Sequence, residues 1–324
     1  MTQQYTIVMP IKISAHSHDE LHRFLYIQLR SLNKFLDRSS IYEFLIICKE
    51  QEMNIIQKAL TEHPSPLPIR LISENRIVKE KIIPTMPGWY LQQLLKLGIA
   101  KEFVKTPLYL ILDTDCFLTK PFSYKDLFYE GKILLDKEPW TNNPDWWLSA
   151  VKIIDDTPLT KVATQLTISA TPQILVTDIV CELLDYLKNR EPPLDWDEYL
   201  ASRLFTEFSL YWLFLLKTNK TDIYQLSRNA PSLLGNALWW LPSPWRFGHH
   251  SNSVTKRIKA LFSKKRRKKL KDLTWKIEQS KLMIEQIVKT AFESNDSFHF
   301  SLIQSNIHEI SVDWIIEQTN KYLN

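Results

Sequence analysis

Glycine is scarce in this chain: five residues among 324, at Gly88, Gly98, Gly131, Gly235 and Gly248. None fall in the GxGxxG or GxxxxGK[ST] spacing, so the dinucleotide-binding fingerprint and the P-loop are both excluded. Any phosphate-binding role must therefore use a cation and side chains in place of a glycine cradle. Cysteine is equally thin, with Cys48, Cys116 and Cys181 far apart, no CxxC pair and no histidine clustered beside them. The apolar settings of Cys48 and Cys116 read as buried thiols of a reducing, cytoplasmic compartment. Long hydrophobic runs are missing too. The longest, Phe208 to Leu216, is interrupted by Ser209 and is too short to span a bilayer. Residues 1–10 lack a charged start followed by a long apolar region, so they read as a first strand and not as a signal peptide. A soluble protein is expected. No internal repeat and no low-complexity linker occurs.

The net charge of +5 is local. Lys264, Lys265, Arg266, Arg267, Lys268, Lys269 and Lys271 supply seven positive charges, and without them the rest of the chain stands at −2. A basic run of this kind can meet nucleic acid or anionic lipid headgroups, or form a solvated helix start. With no recognised RNA- or DNA-binding module, no stable nucleic-acid partner is expected. Peripheral contact with the inner membrane face through residues 264–271 is the alternative use.

What the chain does contain is an alternating pattern. Residues 5–9, 43–48, 69–72 and 108–112 read as strands; residues 21–36, 53–60 and 89–104 between them read as helices. That alternation argues for βαβ units and a mostly parallel sheet, hence an α/β fold, and 44% hydrophobic residues suffice for a large core. The second half is less regular, with helices expected over 143–154, 176–188, 208–216 and 312–322, short strands at 132–135, 165–170 and 298–303, and a mostly helical stretch at 253–291.

Asp113-Thr114-Asp115 follows the apolar run Leu108 to Leu112. Two carboxylates at the carboxyl end of a buried strand project into the crevice where open α/β sheets bind ligands. Hard oxygen ligands there suit Mn²⁺ or Mg²⁺ holding a diphosphate, although a strand-end Asp also caps turns. A second Asp-x-Asp, at Asp195 and Asp197, lies in a polar stretch after Pro192 and Pro193 and reads as a helix start. Gln92, Gln93 and Lys96 share one helix, with 92 and 96 on one face. They fit contacts to a phosphate, a base or a sugar, and equally a solvated polar face. Glu207 precedes an almost wholly apolar helix, a favourable place for a carboxylate. It is the candidate general base, with Asp197 and Glu198 as weaker substitutes.

Trp140, Trp146, Trp147, Trp239, Trp240 and Trp245 form two aromatic clusters, suited either to an acceptor platform or to the core; Trp147 is the expected acceptor contact. His299 is the candidate third metal ligand and the pair His249 and His250 its competitor. His16 and His18 follow the first strand.

Three pieces occur together in order: Pro87-Gly-Trp-Tyr-Leu-Gln-Gln-Leu-Leu-Lys96, Leu110-Ile-Leu-Asp-Thr-Asp115 and Phe205-Thr-Glu-Phe-Ser-Leu-Tyr-Trp212. Over roughly residues 5–240 the chain resembles a GT-A fold nucleotide-sugar glycosyltransferase, of a bacterial glycosyltransferase-like group. The resemblance implies a GT-A-like α/β/α sandwich, a divalent metal on the DxD motif and a nucleoside-diphosphate sugar donor bound by Gln92, Gln93, Lys96, Asp113 and Asp115. The acceptor would be a glycan, a lipid-linked molecule or another hydroxyl compound, as in cell-surface glycan synthesis, with inversion slightly favoured. Many relatives of this fold carry a C-terminal metal-binding histidine element, which has no clear match here. The expected organisation is a single GT-A-like catalytic domain over 1–324, with 253–291 as a basic, mostly helical insertion or extension. Metal-dependent nucleotidyl- or phosphotransfer is the alternative chemistry for the same acids, and nucleic-acid binding through the basic run the alternative from another class.

Overall fold

The computed structural model describes residues 3–13, 19–154, 166–190, 194–238, 264–294, 298–303 and 310–324. The main sheet comprises β1 (Tyr5–Pro10), β2 (Ile41–Cys48), β3 (Ile69–Ser73), β4 (Leu108–Ile111) and β10 (Gln173–Val176), in the order β10-β4-β1-β2-β3. Its first four strands in sequence are mutually parallel, and β10 joins the β4 edge antiparallel. Every residue of β1 and of β4 is buried. Such strands, covered on both faces, read as near-continuous hydrophobic runs, and the buried Thr6 hydroxyl in β1 is paired with that of Thr106 at 2.7 Å. From β1 the chain moves outward through β2 and β3, then returns to place β4 on the other side of β1. The order reverses between β1 and β4, and that is where an open α/β sheet has its crevice.

Helices flank the sheet. α1 (Asp19–Arg23) and α2 (Arg30–Phe35) are joined by a π-helical stretch, Phe24–Leu29, with five buried side chains. α3 (Met53–Glu62) lies against β3, and α4 (Gly88–Glu102) packs on β1. Next come α5 (Pro144–Val151), α6 (Thr177–Lys188), α7 (Trp196–Ala201) and α8 (Glu207–Lys217). Gly98 is where α4 passes α7, for a Cβ there would run into the Trp196 ring. All residues of α8 from Glu207 to Leu216 are buried, as expected of a helix that is hydrophobic all round.

A second, three-stranded sheet runs β11 (Leu234–Leu238), β12 (Phe300–Ile303), β5 (Cys116–Leu118). Against it lies α9 (Lys264–Glu293), and α10 (Val312–Leu323) packs on α9 and on the π-helical stretch, with Ile27, Phe117, Ile284, Val288, Ile303, Ile310 and Ile315 forming a separate apolar cluster. The fold class is thus the expected α/β sandwich with a mostly parallel central sheet and an added C-terminal helical segment. The side chains of 264–271, and Trp239, Trp240, Trp245, His16, His18, His249 and His250, lie outside the described residues.

Two expectations need correction. The helix assigned from 176 is preceded by a strand, β10, which the short Gln173-Ile-Leu-Val176 segment after Pro172 did not announce. The strand expected over 132–135 shortens to β7 (Lys132–Ile133), half of a small hairpin with β6 (Phe128–Tyr129), and a second short antiparallel pair joins β8 (Lys137–Pro139) to β9 (Leu166–Ile168).

Candidate active site

β4 delivers Asp113 to the carboxyl edge of the sheet, and register explains its first contact. In the antiparallel pair Gln173 lies opposite Ile111, so Thr171 comes opposite Asp113, and its hydroxyl donates to Asp113 Oδ2 at 2.7 Å. The π-helical stretch turns Gln28 inward, where its amide donates to the Asp113 carbonyl at 2.7 Å. The Thr114 hydroxyl bonds Glu20, and the Ile303 amide donates to the Asp115 carbonyl at 3.2 Å. Arg23 lies buried behind the turn with Nη1 on the Ile303 carbonyl at 3.1 Å; burial lowers its pKa, and Asp115 is the largest charge opposing that. The Asp113–Asp115 turn is therefore pinned from four directions.

Lys96 is the central feature. It stands on α4 with 3% of its side chain exposed, and its Nζ lies 2.8 Å from Asp113 Oδ1 and 3.1 Å from Glu207 Oε1. The Phe208 ring centroid is 5.8 Å from the same nitrogen. Burial works against the ammonium, but the charges of Asp113 and Glu207 more than reverse this and raise its pKa, so Lys96 stays cationic. Glu207 is the first residue of α8. Its pKa is pushed up by burial, with Lys96 pulling it back down. Gln93 ties the two helices by accepting from the Glu207 amide at 3.3 Å while donating to the Trp89 carbonyl at 3.2 Å.

These groups line one cavity of about 680 Å³, together with Gln92, Asp115, Thr171, Trp89, Trp146 and Trp147. A smaller cavity of about 190 Å³ adjoins it through Gln92, at the ends of β1 and β2, and is lined by Lys12, Lys49 and Glu74. The larger volume suits a drug- or cofactor-sized ligand. Gln92, Gln93, Lys96, Asp113, Asp115, Glu207 and Trp147 are thus brought together.

His299 is not. Its partner across the β12–β5 pair is Thr119, whose amide donates to the His299 carbonyl at 2.9 Å, four positions from the Ile303–Asp115 contact. Four strand residues span about 13 Å, and the His299 ring instead meets the Pro121 carbonyl at 3.0 Å and packs on Phe122. The apolar strand that carries it absorbs it as a structural residue. Trp147 reaches the cavity wall but is 2% exposed and packs as core, whereas Trp89 is 45% exposed.

A divalent cation fits the acids in one particular way. Lys96 pairs Asp113 and Glu207, yet 35% of the Asp113 side chain remains open, and Asp115 lines the same cavity, so both aspartates offer hard oxygen ligands at its wall. Among the described residues, the one trio of carboxylate or histidine ligands close enough to share an ion is Asp195, Asp197 and Glu198. Those three do not line the cavity and are engaged by lysines: Lys79 bonds Asp195 and Glu198, and Lys81 lies 2.5 Å from Glu198. Asp195 and Asp197 open α7, the helix start expected of them. Asp113 and Asp115 therefore fit an ion shared with a ligand's phosphates, the manner in which Mg²⁺ and Mn²⁺ are usually held, and not a closed protein cage.

Sequence reasoning missed Gln28, Thr171, Trp89, Lys12 and Lys49. Trp89 was within reach, since it belongs to the same Gly88-Trp89-Tyr90 piece that pointed to Gln92. Thr171 and Gln28 depend on strand register and a π-helical turn, which carry no local signal.

No curated protein matches the sequence. Among solved structures, galactosyltransferase LgtC with donor and acceptor sugar analogues aligns at 8% identity and TM-score 0.48, covering 98% of this chain and 95% of that one. Mouse xyloside xylosyltransferase 1 in its apo form aligns at 13% identity and TM-score 0.45, covering 75% of this chain and 91% of that one. Core-mannan synthase A of Aspergillus fumigatus, in its Mn/GDP form, aligns at 11% identity and TM-score 0.36, covering 65% of this chain and 68% of that one. At these scores the functional reading rests on the site itself. A family model matches residues 2–257, and the chain belongs to that family, described as "Family of unknown function (DUF6492)".

Proposed function

We propose that the protein is a metal-dependent glycosyltransferase that moves a sugar from a nucleoside-diphosphate donor to a hydroxyl acceptor. The observation that carries this reading is Lys96, buried between Asp113 and Glu207 on the wall of one large cavity at the sheet's reversal point. Such a group is costly to bury, and a charge perturbed by desolvation and a specific charged partner in a cleft has the physical character of a functional site.

In this reading Asp113 and Asp115 hold Mn²⁺ or Mg²⁺ against the diphosphate, where the cation neutralises charge on the leaving group. Lys96 fixes the carboxylates of Asp113 and Glu207 in place and keeps positive charge beside the reacting bond. Gln92, facing both cavities, joins the sugar end of the donor to its nucleoside end, which takes the smaller cavity beside Lys12 and Lys49. Glu207 is the base that takes the proton from the acceptor hydroxyl in an inverting transfer. A carboxylate whose pKa burial raises is a stronger base than a solvated one, and its rigid mount on α8 limits its motion.

Titration calorimetry with nucleoside diphosphates, with and without Mn²⁺, tests this. Binding should require the metal and be abolished in Asp115→Ala. Metal-independent binding, or unchanged affinity in a folded Asp115→Ala protein, overturns the proposal. With a nucleotide-sugar, release of the nucleoside diphosphate distinguishes sugar transfer from nucleotidyl transfer, which would release a sugar 1-phosphate from the same donor.

A further inference from the structure

The mouth of the large cavity carries an aromatic pair that the donor chemistry leaves unused. Trp89, on the first turn of α4, is 45% exposed, and its ring centroid lies 5.9 Å from that of Trp146 on α5, with the planes 37° apart. Tyr90 braces Trp89 edge-on at 4.9 Å and 76°. Both indoles line the cavity, as do Glu138, Asn142 and Asn143. The Glu138 carboxylate accepts from the Asn142 amide at 3.1 Å and from the Asn143 amide at 3.3 Å. Each side-chain amide thereby keeps a second N–H and a carbonyl oxygen for other partners.

We infer that the Trp89–Trp146 pair, with Glu138, Asn142 and Asn143, is the acceptor subsite, and that the acceptor offers a pyranose sugar to it. The face of an indole is electron-rich, and the C–H face of a pyranose presents partial positive charge to it, so the two stack. The hydroxyl edge of the same ring needs both donors and acceptors, and a carboxylate flanked by two amides supplies both. A purely apolar occupant would cover the remaining amide N–H and carbonyl groups of Asn142 and Asn143 without giving them partners, which would weaken its binding. Position supports the same reading. The Trp146 carbonyl accepts from the Ser209 hydroxyl at 3.2 Å, so the platform is fastened to α8 two residues from Glu207. A sugar seated there shares a cavity with the proposed base. The identification of this subsite as the acceptor's rests on the transferase reading; its affinity for a sugar does not.

Saturation-transfer NMR with methyl glycosides of glucose, galactose, mannose and N-acetylglucosamine, without nucleotide, tests the inference. At least one glycoside should receive saturation on its ring C–H protons. Its affinity should fall about tenfold in Trp146→Ala and in Trp89→Ala, the scale of one lost aromatic stack, and be largely restored in Trp146→Phe. Calorimetric affinity for a nucleoside diphosphate with Mn²⁺ should stay within about twofold. Equal glycoside binding by both alanine variants, or no transfer to any glycoside, overturns the inference. So does a loss confined to nucleotide affinity, which would make the pair a base-stacking site. If nucleotide binds with Mn²⁺ and no glycoside does, the subsite fails while the transferase reading stands. If glycosides bind and no nucleotide does, the sugar platform stands and the transferase reading fails.

Discussion

Two lysines in this protein each hold a pair of carboxylates, and they do opposite things. Lys79 bonds Asp195 and Glu198 at the surface, with 40% of its own side chain exposed. Lys96 binds Asp113 and Glu207 with 3% exposed. Around Lys79 the bonds from Lys79 and Lys81 draw the Glu198 carboxyl down to about 2, because at the surface they outweigh the small opposing cost of desolvation. Around Lys96 burial raises Glu207 in spite of its partner. The same charges, moved from solvent to cavity wall, change from a surface clamp into a buried cluster in which desolvation opposes the pairing. Acidic residues in the sequence do not by themselves indicate which of the two they will be.

Lys96→Met should break this contrast hardest. Removing the ammonium leaves Asp113 and Glu207 facing each other with Glu207 fully buried, and loss of one partner of a buried pair costs about 3–5 kcal/mol. Denaturant titration at neutral pH should show that loss. A variant as stable as the parent would mean that the pair contributes nothing and that water replaces it freely.

Glu207→Gln sharpens the functional half of the comparison. The amide keeps size and hydrogen bonds but not basicity, so turnover of a nucleotide-sugar should drop by about 10²-fold or more with donor affinity little changed. Near-normal turnover, or a product that retains the donor's anomeric configuration, would remove Glu207 from the role of base.

The smallest effect belongs to Lys79→Met. Exposed ion pairs are screened and contribute little, so the midpoint should move by several-fold less than in Lys96→Met and the difference should shrink at high salt. The sign with pH is also fixed. Glu198 has a folded pKa below its ordinary 4.5, so its contribution is present above that value and is lost as pH falls toward about 2. A loss matching that of Lys96→Met would erase the distinction between the two clusters.

Most of the first half of the fold was legible because its elements are locally consistent. Apolar runs flanked by turns became β1 to β4, and the stripe across 21–36 became one continuous helical course, though its π-helical middle was not announced. β10 and β5 were missed because short strands take their identity from their neighbours. At the site, Asp113 and Glu207 were legible from their positions at the ends of a buried strand and a buried helix. His299 misled because a histidine in an apolar strand carries no mark of which strand it faces. Trp147 and Trp146 both reach the cavity wall, and one residue of rotation about α5 decides which indole is buried as core and which stands more open.

Sequence alone determined the alternating α/β order, the want of a glycine phosphate cradle, and the presence of acids and amides at the carboxyl ends of strands and the starts of helices. These follow from hydrophobic periodicity and from which residue types occur at all. Tertiary structure alone decided that Lys96 would lie between Asp113 and Glu207, that Thr171 would face Asp113, and that Trp89 and Trp146 would meet across two helices. The residues concerned are separated by 17, 111, 58 and 57 positions along the chain. Over such distances pairing is set by sheet register and helix packing, and the energy that fixes it, desolvation against charge, exists only once the cavity has closed around them.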